Sequence, residues 1–281
     1  MDECVKRFLK RNDINQKKIC QCEEGKIKSP KEINSIVANY AIRRPVEWAY
    51  LSIADIVGYE NCPNDKSFIA YSIENFFGSK GGDYLRRSIG LLDYTTRDAL
   101  QEIDFRTKEM FVNEMDDNIY IMSINGIHRY IVLRLLYLSE YVKAKGNKEE
   151  IDRLKEKYKI EVKLSRLDKI KTYCKFLLMT SKCGIKDIEA EYDGKNWKYT
   201  GRFFIIKNNN EKIVIENDED LIECVRSQAE IINQSIGNLQ WYYGKYESFR
   251  NFLEEYFADT LDIKQLADGK IDEEKGNIEL W

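Results

Sequence analysis

Histidine is almost missing from this chain: its 281 residues include one, His128. Proline is nearly as scarce, with three residues (Pro30, Pro45 and Pro63), all early, so everything beyond Pro63 is free to form long unbroken elements. No apolar run approaches the ~18–20 residues that a bilayer-spanning helix needs, so no membrane partner is expected. Met1-Asp2-Glu3-Cys4-Val5-Lys6-Arg7 has no apolar core behind its charges, the pattern of a chain that is not secreted. Cysteine comes as seven residues, an odd number without a regular framework, which fits reduced thiols in a cytoplasm. Cys20 and Cys22 form a lone C-x-C with only Cys4 and Cys62 as distant companions. Structural metal sites take their ligands in close pairs, so no metal is expected.

What is there is a globular composition, 43% hydrophobic and 33% charged, long enough for one large domain or two small ones. Net charge is −3, but from residue 217 onward the balance is about −9, leaving about +6 for the rest. That mild basic excess suits a nucleotide or a phosphate backbone and falls short of a dedicated DNA binder. The acidic end also reads as plain solvation of the chain terminus.

Residues 1–30 predict a short helix and a loop ending at Ser29-Pro30, and residues 31–41 a helix closed by Arg43-Arg44-Pro45. Glu47-Trp48-Ala49-Tyr50-Leu51-Ser52 predicts a strand, and Ile53-Ala54-Asp55-Ile56 a turn of helix. A helix through Phe68, Ile69, Tyr71, Ile73 and Phe76 is broken by Gly78-Ser79-Lys80-Gly81-Gly82, and the mixed stretch beyond carries Arg86 and Arg87. Strands at 109–112 and 119–124 pair around Asp116-Asp117-Asn118. The helix from His128 is apolar almost all round (Ile131, Leu133, Leu135, Leu136, Leu138) and is therefore expected to be buried. A charged surface helix at 148–157, a strand at 160–164 and an amphipathic helix at 167–179 follow. After Gly184 come three strands at 188–192, 197–206 and 212–215, then a helix opened by Asp218-Glu219-Asp220. A last helical stretch at 241–257 carries Trp241, Tyr242, Tyr246, Phe249, Phe252, Tyr256 and Phe257 at helical spacing. Such a stripe is a core or a partner-packing face, and self-association through it is one expectation.

The lone histidine lies in Ser123-Ile124-Asn125-Gly126-Ile127-His128-Arg129, where an apolar strand turns sharply into a helix. Free N–H groups and the positive end of the helix dipole at such a turn favour an anion. His128 and Arg129 add two donors suited to phosphate. The competing reading is that Gly126 is there for steric reasons alone.

This stretch resembles the ParB/sulfiredoxin superfamily. Tyr50-Leu51-Ser52-Ile53-Ala54-Asp55-Ile56 is similar to the family's opening strand, and Phe68-Ile69-Ala70-Tyr71-Ser72-Ile73 to a helix that ends in Ser-Ile. Residues 119–133, with Ile160-Glu161-Val162-Lys163, resemble the strand, Gly-x-His-Arg turn, buried helix and exit strand that hold nucleotide phosphates. The resemblance implies an α+β fold and phosphates held by Asn125, Gly126, Ile127, His128 and Arg129, with ATP or CTP and Mg²⁺ as the ligand. Sulfiredoxin-like members have a cysteine where this chain has Ile127, which removes that nucleophile. Kinase-like members have an aspartate where Asn125 stands, and their working glutamate falls at Glu60, a candidate base. Arg86-Arg87 is the candidate for the second phosphate-binding motif of partition proteins.

The expected organisation is a helical extension at 1–45, a ParB/sulfiredoxin-like nucleotide-binding domain at 46–183, and at 184–281 a three-stranded antiparallel meander with helices. Three readings stay open. One is a nucleotide-binding protein, either without turnover or acting as an NTP hydrolase or phosphotransferase through Glu60. Another is a ParB-like DNA-associated protein of plasmid, phage or defence type. The third is a degenerate scaffold that keeps the fold and works through protein contacts.

Overall fold

The computed structural model describes residues 3–60, 71–72, 110–123, 125–181, 183, 186–192, 197–206, 212–215 and 217–268. It is a mixed α+β protein, as the sequence predicts, and divides into two compact units. The first comprises Met1–Ile33 and Pro45–Arg166, the second Asn34–Arg44 and Leu167–Trp281. The division differs from the expected 45/46 and 183/184 boundaries: the N-terminal residues belong to the first core, and 167–183 to the second. Arg86, Arg87, the glycine-rich 78–82 and all of the 68–76 helix except Tyr71 and Ser72 lie outside the described residues.

The first unit is built on a five-stranded sheet in the order β1-β5-β3-β4-β2. Strands β3 (Phe111–Asp116) and β4 (Ile119–Met122) form the predicted hairpin, with Asn118 at the turn in the left-handed region, φ 55°, which asparagine tolerates. β5 (Lys159–Ser165) runs parallel to β3 and antiparallel to β1 (Glu47–Ser52). The residues read as a turn of helix form instead a tight turn at 53–55 and a fifth strand, β2 (Ile56–Tyr59), parallel to β4. Gly58 interrupts β2 for a steric reason: a Cβ there would lie 2.0 Å from the Lys28 carbonyl oxygen, which bridges to this strand.

Alternation divides the sheet into two faces. Leu51, Val112, Tyr120, Met122, Val162 and Leu164 join one apolar cluster with α4 (Ile127–Ala144), which is buried on nearly every side as its composition predicts. The short helices α1 (Glu3–Arg11) and α2 (Gln16–Gln21) contribute Phe8, Leu9 and Ile19 to the same cluster, with Ile27 beyond them. Burial of these side chains ties residues 3–33 to the sheet. Arg134 lies inside α4 at 2% exposure. Its guanidinium donates to the carbonyls of Ile53 and Ala54 at 2.8 Å each and to that of Glu24 at 3.0 Å, and it lies 5.3 Å from the centre of the Tyr137 ring. The charged helix α5 (Lys148–Lys157), capped by Asn147, leads back into β5.

In the second unit, α3 (Pro30–Tyr40) breaks from helical geometry at Asn34, φ −160°, and from there on belongs to this unit. The Asn34 side chain accepts a bond from the Val37 N–H at 3.1 Å, restarting the helix with a cap. Helix α6 (Lys169–Thr180) supplies Tyr173 and Phe176, both fully buried. The aromatic stretch expected as one helix is two, α9 (Ile236–Lys245) and α10 (Glu247–Phe257), separated at Tyr246. The helices α7 (Asp218–Arg226), capped by Asn217, and α8 (Ala229–Gln234) precede them, and α11 (Ile263–Asp268) follows. Phe249 packs 5.2 Å from Tyr173 and 5.3 Å from Phe176, ring centre to ring centre, and Phe252, Leu253 and Phe257 are buried beside it. The stripe is therefore largely the core of the second unit, not the open face that self-association through it requires. Strands β6 (Lys186–Tyr192), β7 (Trp197–Ile206) and β8 (Lys212–Ile215) form an antiparallel sheet in that order.

Candidate functional site

Parallel pairing of β2 with β4 brings their carboxyl ends to one edge of the first unit's sheet, and the antiparallel β3 brings its amino end there too. Glu60 follows β2 at this edge. Its N–H donates to the Met122 carbonyl at 3.1 Å, continuing the ladder by one step. Its carboxylate accepts from two neutral donors: the Asn113 amide on β3, and the Ser123 hydroxyl just past β4 at 3.1 Å. The side chain that the resemblance makes a candidate base is thus fixed in direction by two strands. Asn113 and Ser123 escaped the sequence reading. The available signal was their placement: a polar residue on β3's alternation opposite Val112, and a hydroxyl where an apolar strand ends.

Two residues beyond Ser123 the chain turns into α4. Gly126 is in the left-handed region, φ 94°, and a Cβ on it would lie 2.6 Å from the Met110 side chain. Both facts demand glycine, so the steric reading is sufficient for this residue. The turn is anchored on β3, with the Phe111 N–H donating to the Asn125 carbonyl at 3.3 Å and the Ser123 N–H to the Phe111 carbonyl at 2.9 Å. Gly126, the N-cap residue, has no side chain with which to cap α4, whose first internal bond runs from the Tyr130 N–H to the Gly126 carbonyl at 3.0 Å.

The two cationic side chains differ. Ile127 is buried, His128 half-buried, and Arg129 is only 9% exposed. Burial pushes the pKa of both His128 and Arg129 down, because the charged form loses hydration. Of the two donors, His128 is the more accessible. Its depressed pKa means that it contributes stability above the unfolded value, and that this contribution is lost as pH falls through the folded pKa. As the sole histidine, His128 yields a single imidazole C2–H resonance. Its titration midpoint is expected below the ordinary 6.5 in the free protein and higher once an anion is bound beside it. A free-protein midpoint at or above that value would contradict the burial described here.

Among the described residues no group of three or more histidine, cysteine, aspartate or glutamate side chains is arranged to hold a metal ion, and no helix is long and apolar enough to cross a membrane. The chain matches no family model, no curated protein and no solved structure.

Proposed function

We propose that this protein binds a nucleotide, with the phosphates at the Asn125–Arg129 turn. The observation that carries the reading is the convergence of three features at one sheet edge. These are a helix start whose N-cap residue is a glycine, a half-buried histidine on its first turn, and a glutamate oriented by Asn113 and Ser123. Backbone N–H groups and the helix dipole favour the phosphate charge, and His128 adds a directional donor. The succession of β4, turn, buried α4 and β5 is also the order found in the ParB/sulfiredoxin superfamily, whose nucleotide chemistry the sequence suggested. Its DNA-associated members provide the alternative partner, but the candidate phosphate site accounts more directly for His128 and Glu60.

ATP or CTP with Mg²⁺ is the ligand to test. Magnesium is commonly held by one or two carboxylates together with the phosphates and retained waters, and Glu60 offers one such carboxylate. That donor set fits a metal arriving with its nucleotide better than a resident ion.

A thermal-shift panel of ATP, CTP, GTP and UTP with Mg²⁺ tests the reading. One or more nucleotides are expected to raise the melting midpoint, since a ligand of the folded state stabilises it. His128→Ala is expected to weaken binding by about 1–3 kcal/mol, the scale of a hydrogen bond to a charged group. Glu60→Gln, which retains side-chain size, separates binding from turnover: unchanged affinity with abolished hydrolysis would give Glu60 a catalytic role. No shift with any nucleotide would remove the proposal.

A further inference from the structure

A nucleophile and a base already touch at the sheet edge that carries the phosphate turn. The Ser123 hydroxyl donates to one oxygen of the Glu60 carboxylate at 3.1 Å, and the Asn113 amide donates to the other. A serine, a carboxylate and a third group that fixes the carboxylate's direction make the general form of an activated nucleophile. All three residues are half-buried, open enough to meet a substrate and sheltered enough to keep their mutual bonds.

Ser123 is also tied to the turn. Its N–H donates to the Phe111 carbonyl at 2.9 Å, while the Phe111 N–H donates to the Asn125 carbonyl at 3.3 Å. One residue of β3 therefore pins both ends of 123–125, and the serine is folded against the start of the phosphate turn.

We propose that Ser123 is a phosphoryl acceptor, so that this protein phosphorylates itself. With a nucleoside triphosphate and Mg²⁺ held as proposed above, a reading on which this step rests, the Ser123 oxygen attacks the terminal phosphorus. The Oγ–P bond forms as the bond from that phosphorus to the bridging oxygen breaks. The hydroxyl proton passes to Glu60, and the electron pair of the broken bond leaves with the nucleoside diphosphate. A carboxylate suffices as the base, because phosphoryl transfer has a loose transition state in which positioning and charge stabilisation supply most of the rate. The N–H groups that open α4, together with His128, supply donors for the charge spread over the phosphoryl oxygens.

Water is the rival acceptor, and hydrolysis its outcome. The serine has the advantage because, among the described residues, it supplies the O–H group that rests on Glu60. Once modified, the serine carries a charge of about −1.5 to −2 near neutral pH, which repels Glu60 and favours the amino end of α4. Transfer therefore stops at one phosphoryl group per chain.

The test follows the intact mass of the full chain incubated with ATP, CTP, GTP or UTP and Mg²⁺, with the modified residue mapped in peptides kept in acid. One phosphoryl group on Ser123 is expected from at least one nucleotide that raises the melting midpoint. A phosphoserine ester survives acid, whereas the phosphoramidate that His128 would form does not. Ser123→Ala is expected to take no phosphate, and Ser123→Thr, which keeps the hydroxyl, to take it more slowly. Glu60→Gln should slow transfer roughly a hundredfold or more. Asn113→Ala should lower the rate at saturating nucleotide without raising the half-saturating concentration. Melting midpoints of the variants, with and without nucleotide, separate loss of transfer from loss of fold or of binding. A wild type that a nucleotide stabilises but that gains no phosphate overturns self-phosphorylation and leaves the nucleotide site standing. Phosphate on another residue, an acid-labile adduct or undiminished incorporation in Ser123→Ala also overturns it. Absence of both stabilisation and phosphate removes the nucleotide site together with it.

Discussion

Arg134→Met is expected to cost the first unit about 3–5 kcal/mol, enough to shift a urea unfolding midpoint substantially. The magnitude follows from what the guanidinium does. It reaches three backbone carbonyls, those of Ile53, Ala54 and Glu24, from a position only 2% exposed to solvent. Two of those carbonyls belong to the turn between β1 and β2, and the third to the short helical turn after α2. Methionine fills the volume but donates nothing, leaving buried acceptors unpaired at about 1–3 kcal/mol each when water cannot replace the donor. Arg134→Lys should recover only part of the loss, because a compact ammonium cannot reproduce the planar fork. A cost below about 1 kcal/mol for the methionine variant would show that the carbonyls find other donors and that the clamp is dispensable.

Phe249→Ala is expected to be comparably damaging to the second unit, at about 3–5 kcal/mol. The ring is fully buried and packs against Tyr173 and Phe176, each close to 5 Å away between centres at 5.2 and 5.3 Å. Removing it takes away apolar transfer energy and leaves a cavity between α6 and α10 whose rigid aromatic walls collapse poorly. Tyr173 is also held by a hydroxyl pair with Ser248 at 2.8 Å, which restrains it from moving into the gap. Phe249→Leu, which refills much of the space, should lose distinctly less in the same denaturant titration. Equal losses for the two variants would argue against a cavity as the cause.

Much of this architecture was legible because local chemistry and the final fold agree. The β3–β4 hairpin was marked by its Asp-Asn turn, α5 by its run of charged residues, α7 by the acids of its first turn, and α4 by an apolar surface too broad for anything but a buried helix. β2 was hidden because Ile56-Val57-Gly58-Tyr59 is short and its pairing is with β4, far along the chain. The boundary at Asn34 was hidden for the opposite reason: helical periodicity runs straight through it, and only the backbone angles reveal the break. At the candidate site, the turn at Gly126 was readable, but not the contact with Met110 that requires it. The burial of Arg129 and the grip of Asn113 and Ser123 on Glu60 depend on elements brought together by the tertiary fold, which residue spacing alone does not encode.

The break at Asn34 also imposes an order of events on a ribosome. Residues 34–44 belong to the second unit, yet the whole of 45–166 must be translated before Leu167 appears opposite Arg43 in the bridge that joins the two pieces. At synthesis rates of about 5–20 residues per second, that segment waits roughly ten seconds for its partners. Its buried side chains Ile36, Val37 and Tyr40 remain without their eventual core during that interval. The first unit's sheet also stays open until the end of that interval, because β5, the strand between β1 and β3, is the last of its segments to be made, so a strip of unsheltered apolar residues waits beside an incomplete sheet. Chaperone contact at this strip is a natural consequence of the chain's threading.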